Sequence, residues 1–166
     1  MGLGKLMGTF DYVNFGKVMP DGFTIRDAQT KDLDCDFRTY RLVPRTDIID
    51  HPYLQLVVDT LDFGKEGLPK TTKDQDYTGS LYFYGDGFKE NEKEFLSCYA
   101  LFHRGHLLKI FVHRFGTAPE YLLMGELSEF NSLEASLEDG SMLLATKMEL
   151  EKKSYEFYSP GLIPGP

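Results

Sequence analysis

The chain has 166 residues, of which 42% are apolar and 14% aromatic, a length and composition that fit one globular domain and exclude a disordered chain. Acidic residues number 26 and basic residues 18, for a net charge of −8. A protein that grips a phosphate backbone carries a basic patch, and here the longest basic run is Lys152-Lys153, so nucleic acid is disfavoured as a partner. The longest apolar runs, such as YLQLVV, fall far short of a membrane span. Cys35 and Cys98 make no disulfide framework and no signal-peptide pattern opens the chain, which points to a reducing cytoplasm.

Taken in chain order, residues 1–25 show no helical period and are punctuated by Gly2, Gly4, Gly8, Gly16, Pro20 and Gly22, a pattern of loops and short strands. FRTYRLV and YLQLVVDTLDF read as strands, with β-branched and apolar residues at suitable spacing. GKEGLPKTTKDQDYTG reads as a polar connection. SLYFY reads as a strand closed by a GDG turn, and FKENEKEF as a charged surface connection.

SCYALFHRGHLLKIFVHRFG predicts a hairpin turning at Arg104-Gly105, because Gly takes positive φ without penalty. The simplest register sets His103 against His106, Leu101 against Leu108, Tyr99 against Ile110 and Ser97 against Val112. Phe102, Ala100, Cys98 and Leu96 then share the other face with Leu107, Lys109, Phe111 and His113. Both faces are largely apolar, as in a hairpin covered on two sides. EYLLMGEL reads as a further strand and SEFNSLEASLEDG as a short helix stopped by Gly140. The apolar spacing of SMLLATKMELEKKSYEFY fits a strand or a helix alike. The expected fold is mainly β (or α+β): an antiparallel sheet built around a central 94–115 hairpin with one or two short helices. The domain spans 1–158, and 159–166 is an extended Pro/Gly tail.

Three groups of residues invite a chemical reading. His103 and His106 flank the turn on one face, while Cys98 and His113 lie on the other. No C-x-x-C accompanies them, so no metal or other cofactor is expected, and the two turn histidines read as solvated. In KDLDCD, Asp32, Asp34 and Asp36 alternate. They line one face if the stretch is a strand; otherwise they form an exposed loop with Leu33, Cys35 and Phe37 turned inward. No G-x-S-x-G or GK[ST] motif is present, and Cys98 beside His113 is the one conceivable nucleophile and base, so the chain is read as a non-enzyme. Tyr155 and Phe157 lie in an aromatic cluster beside the Pro-rich tail, where aromatics are less needed for a core and suit an interaction surface.

MGTFDYVNF at 7–15, QTKDLDC at 29–35 and TGSLYFYGDG…EFLSCYALFHRGHLLKI at 78–110 occur in one order. Together they resemble small proteins of tailed phages and prophages that open with Met-Gly-x-Phe-Asp-Tyr and often carry a zinc-knuckle C-x-x-C soon after. This chain departs from that pattern: it reads GKVMPDGF in place of the C-x-x-C and retains only Cys35. The resemblance implies that Met7 is an ancestral start, that the zinc site has been lost, and that the protein is a phage accessory gene product in the cytoplasm of the infected bacterium. The function so implied is non-enzymatic binding of a host bacterial protein, as in inhibition of a defence system. Two rival expectations are a binder or hydrolase of a small nucleotide-like ligand, with either Asp32, Asp34 and Asp36 or His103 and His106 at its site, and a minor virion or assembly component. Binding residues are thus sought at those five positions and at Tyr155 and Phe157.

Overall fold

A computed structural model describes residues 9–18, 22–25, 27–46, 51–60, 71–113 and 118–162. The fold is mainly β. Its strands are β1 (Asp11–Asn14), β2 (Gly16–Val18), β3 (Phe23–Ile25), β4 (Ala28–Thr30), β5 (Thr39–Arg45), β6 (Tyr53–Thr60), β7 (Thr71–Asp74), β8 (Gly79–Lys89), β9 (Glu92–His103) and β10 (His106–His113). Two helices follow, α1 (Met124–Asp139) and α2 (Leu144–Tyr158). The order β8-β9-β10-β6-β5-β1-β4 returns to β8, which closes the sheet into a barrel and removes most of its edges. β3 and β2 extend along β8 beyond β4, and β7 takes the β6 edge beyond β10. One pairing departs from the antiparallel expectation: β1 runs parallel to β5.

The barrel is filled from alternate positions of its strands. Val13, Phe15, Tyr40, Leu54, Leu56, Leu81, Phe83, Leu96, Cys98, Ala100, Phe102 and Leu107 are among the side chains packed inside. Phe15 anchors this core edge-on to Phe83 at 5.1 Å between ring centroids. A second cluster lies outside, where Tyr99, Leu101, Leu108 and Phe111 meet Phe130 and Leu137 of α1. The β9–β10 hairpin is therefore apolar on both faces because barrel core lies behind it and α1 in front.

The turn forms at Arg104 and Gly105, both at positive φ (50° and 85°), as a two-residue hairpin turn requires. The register beyond it corrects the simplest expectation. His106 does oppose His103, but a bulge between Leu107 and Lys109 advances β10 by one residue. Tyr99 consequently pairs with Phe111, Cys98 with Val112 and Ser97 with His113. The inserted residue turns Leu108 outward, Ile110 inward and Phe111 outward.

Other local expectations are also revised. Gly85-Asp86-Gly87 does not turn: it stays in β8 opposite Leu96, Phe95 and Glu94, and the turn comes at Glu90-Asn91. FKENEKEF is consequently strand and tight turn rather than a connection. Thr71–Asp74, within the supposed polar connection, is β7, and residues 61–70 lie outside the described residues. EYLLMGEL is not a strand: it holds the end of a short 3-10 turn (Pro119–Tyr121) and the first residues of α1. Gly140 ends α1 in the left-handed conformation (φ 71°), as its position predicts. Residues 144–158 are helix. The tail begins with a 3-10 turn (Ser159–Gly161), and Leu162 packs against the barrel core. Residues 163–166, Met7 and most of MGTFDYVNF's opening lie outside the described residues.

Candidate functional site

α2 lies along the open edge of β10, past the point where β6 begins. β6 pairs with β10 at a single position, Gln55 opposite His106. Beyond it the outward carbonyls of β10 receive side chains of α2: Ser154 Oγ donates to the Leu108 carbonyl, and Tyr158 OH donates to the Ile110 carbonyl at 3.4 Å. Tyr158 also reaches into the barrel core.

One turn earlier on the same helix face stands Glu151, a carboxylate with no solvent exposure. An isolated charge in such a place costs several kcal/mol, so its partners decide whether it is tolerated. His106 Nδ1 lies 3.2 Å from Oε1, and Lys147 Nζ lies 3.4 Å from the same oxygen. His51 Nε2 lies close against Oε2, which takes part in no aligned hydrogen bond. Burial pushes the Glu151 carboxyl up, but the His106 hydrogen bond and the charges of Lys147, His106 and His51 outweigh it and hold the group below its ordinary range. Tyr53 stacks on the His106 ring at 3.8 Å between centroids and fixes its plane. His103, across the turn, keeps Nδ1 buried without a hydrogen-bond partner. Burial, followed by the Lys147 charge, holds its titration below the ordinary imidazole value. Among the described residues no three His, Cys, Asp or Glu side chains are arranged to hold a metal ion. The arrangement is an ion-pair knot that fastens α2 to the barrel.

Beside the knot, between α1 and α2 and floored by β10, lies an open groove of about 620 Å³. Leu108, Ile110 and Val112 form its floor, Glu126 and Glu129 one wall, and Leu150, Glu156 and Phe157 the other. Lys109 is tied to Glu129 at 2.7 Å and lies over the Phe111 ring, and Lys153 is tied to Glu149 at 2.9 Å. Both cations lining the groove are thus neutralised within the chain.

The residues singled out from the sequence fall in three places. Asp32, Asp34 and Asp36 are exposed, but they lie in a loop and not on a strand. Asp32 Oδ2 accepts from the Tyr82 N–H at 2.8 Å, and Asp36 pairs with Arg38 at 2.7 Å. The loop is organised by a carboxylate that sequence reasoning passed over. Buried Asp11 accepts the N–H groups of Cys35, Asp36 and Arg38 at 2.7, 3.1 and 3.0 Å. Leu33 and Cys35 turn inward, whereas Phe37 is 53% exposed with φ 61°. His103 and His106 are brought together at the knot, and His106 is half-buried against Glu151 rather than solvated. Tyr155 packs against the barrel core and Phe157 is exposed at the groove. Cys98 and His113 are separated by the register shift: Cys98 points into the barrel, where burial pushes its thiol far up, and His113 stacks on Tyr99 outside. That geometry removes them as a nucleophile and base.

Glu151 and His51 escaped the sequence reading. The usable signal was the spacing Lys147, Glu151, Ser154, Tyr158, which places all four on one helix face. No helix among the described residues is long and apolar enough to cross a membrane. In comparisons with protein-family models, curated proteins and solved structures, nothing matches this chain.

Proposed function

We propose that the chain is a non-enzymatic binding protein that docks a protein partner through the surface formed by its two helices. One observation carries this reading. Among the described residues, seven of the ten exposed large apolar side chains lie between Tyr121 and Phe157. Leu123, Met124, Leu143 and Leu144 are the most open of them, at 75, 81, 71 and 69%. Single exposed leucines are ordinary, but seven such side chains on the two-helix appendage, with Leu123 and Met124 at the start of α1 and Leu143 and Leu144 just past its end, favour this part of an otherwise well-filled barrel as an interaction surface. The net charge of −8 favours a basic partner and fast, salt-sensitive encounter. The order of phage-like motifs supplies the class of partner: a host bacterial protein, met in the cytoplasm of the infected cell, such as a component of a defence system that the protein inhibits.

The test is capture from bacterial lysate by the wild-type chain and by a variant with Leu123, Met124, Leu143 and Leu144 all changed to Ser. Both protein and small-molecule fractions are identified by mass spectrometry. The expected result is a stoichiometric protein captured by the wild type and lost by the folded variant. Equal capture by both, or no protein and a nucleotide-like molecule released on heating, overturns the reading. The second outcome moves attention to His103 and His106.

A further inference from the structure

The groove between α1 and α2 allows the partner's chemistry to be stated more closely, and this step rests on the binding role proposed above. We infer that the groove receives a basic amphipathic helix of the partner.

Three observations select that occupant. The first is the blocked edge. An extended peptide adds to a sheet by bonding to free main-chain groups of an edge strand. On β10 the Leu108 and Ile110 carbonyls are taken by Ser154 and Tyr158, and α2 itself lies along that edge. Recognition must therefore run through side chains. The second is the shape and lining. Val112, Leu150 and exposed Phe157 (46%) give the groove its apolar surface, with Leu108 and Ile110 almost fully covered beneath them. An open trough of this kind suits one face of a helix, with anchors recurring every three or four residues, better than an enclosed small molecule. The third is charge. Lys109 and Lys153 are each committed to a glutamate of this chain. Among the described residues, Glu126 and Glu156 on the walls are in no ion pair, so the rim is acidic and complements lysines or arginines flanking the apolar stripe.

The experiment uses fluorescein-labelled synthetic peptides of about 14 residues, roughly four helical turns. One is a Leu/Lys amphipathic helix, the second its Leu/Glu counterpart, and the third an alternating Val/Lys strand former. Fluorescence anisotropy against the full chain reads affinity. The Leu/Lys peptide is expected to bind saturably, and the Leu/Glu peptide at least tenfold more weakly. Phe157→Asp, a change at an exposed position, is expected to weaken Leu/Lys binding tenfold or more. Should that variant fail to fold, Glu126→Lys with Glu156→Lys replaces it, with the same loss expected and the preference for Leu/Lys over Leu/Glu reversed.

Equal affinity for the Leu/Lys and Leu/Glu helices overturns the inference. So does tighter binding of the strand former, unchanged binding by the folded variant, or self-association of the chain that competes with the peptide. Failure here is separable from failure of the proposed function. A lysate partner retained by Phe157→Asp but lost by the Leu/Met→Ser variant leaves the binding role intact and places it outside the groove. A groove that binds the Leu/Lys helix in a chain that captures no protein sinks the role itself.

Discussion

At the scale of single residues, Glu151 decides how α2 is held. Its carboxylate is fully buried and is balanced by His106, Lys147 and His51. Glu151→Gln keeps the shape and removes the charge, which leaves Lys147 without its counterion. Truncating one partner of a buried pair typically costs about 3–5 kcal/mol, and urea denaturation should show a loss of that order. A loss below about 1 kcal/mol would mean that solvent already supports the cluster. His103 gives a separable pH signature. It is a base whose folded-state titration lies below its ordinary 6.5, so the fold favours its neutral form. That contribution is complete above pH 6.5 and is lost as pH falls through the lowered folded value. Glu151, held below its ordinary 4.5, contributes above that pH and is lost only at more acid values. Denaturation midpoints should therefore fall in two stages on acidification. In His103→Gln the upper stage should shrink and the lower one remain; an upper stage of unchanged size in that variant would exclude His103 as a source.

At the scale of elements, α2 is an unusual closing piece because its buried face is polar: Glu151, Ser154 and Tyr158 point inward. Apolar spacing could not distinguish strand from helix there, since two of the three buried residues, Glu151 and Ser154, are polar and lie outside any apolar period. Ser154 and Tyr158 satisfy carbonyls that neighbouring strands would otherwise bond. Tyr158→Phe should leave the Ile110 carbonyl short of a donor and cost about 1–3 kcal/mol, checked by thermal unfolding. A neutral result would show that the 3.4 Å bond contributes nothing to stability. α1 is held differently. Phe130 meets Tyr99 and Phe111 edge-on at 5.2 and 5.4 Å. Phe111→Ala should open a cavity and cost about 3–5 kcal/mol. Because Phe111 joins α1 to the barrel wall, amide exchange across 124–139 should accelerate ahead of the barrel strands. Uniform acceleration would mean that the helix and barrel open as one unit.

At the scale of the whole molecule, the acidic balance is a property of the surface and independent of the core. Changing Asp32, Asp34 and Asp36 together to Asn removes three of the charges behind a net of −8. The fold should survive: all three are exposed, and an Asn carbonyl at 32 can still accept the Tyr82 N–H. Association with the captured partner should slow at low salt, with the off-rate nearly unchanged, because exposed charges act mainly on encounter. Stopped-flow measurements at low and high salt read this directly. An off-rate that changes more than the on-rate would place the Asp loop inside the interface.

The β-rich class, the Arg104-Gly105 turn, the end of α1 at Gly140 and the exposure of the three aspartates can all be read from the chain. Each of these depends on local chemistry: alternation, positive φ at glycine, and charge that stays in water. Tertiary structure alone decided the rest. The bulge after Leu107 exchanges the faces of β10, and it is favourable only because α1 and the barrel core receive the two resulting faces. Gly85-Asp86-Gly87 continues as strand because β9 pairs along its whole length, and long-range pairing overrides a local turn preference. The candidate site joins His51, just before β6, with His106 of β10 and Glu151 of α2. The spacing of Lys147, Glu151, Ser154 and Tyr158 puts the carboxylate on a helix face, but nothing in the chain links it to the imidazoles at 51 and 106, because only the closed barrel brings them together.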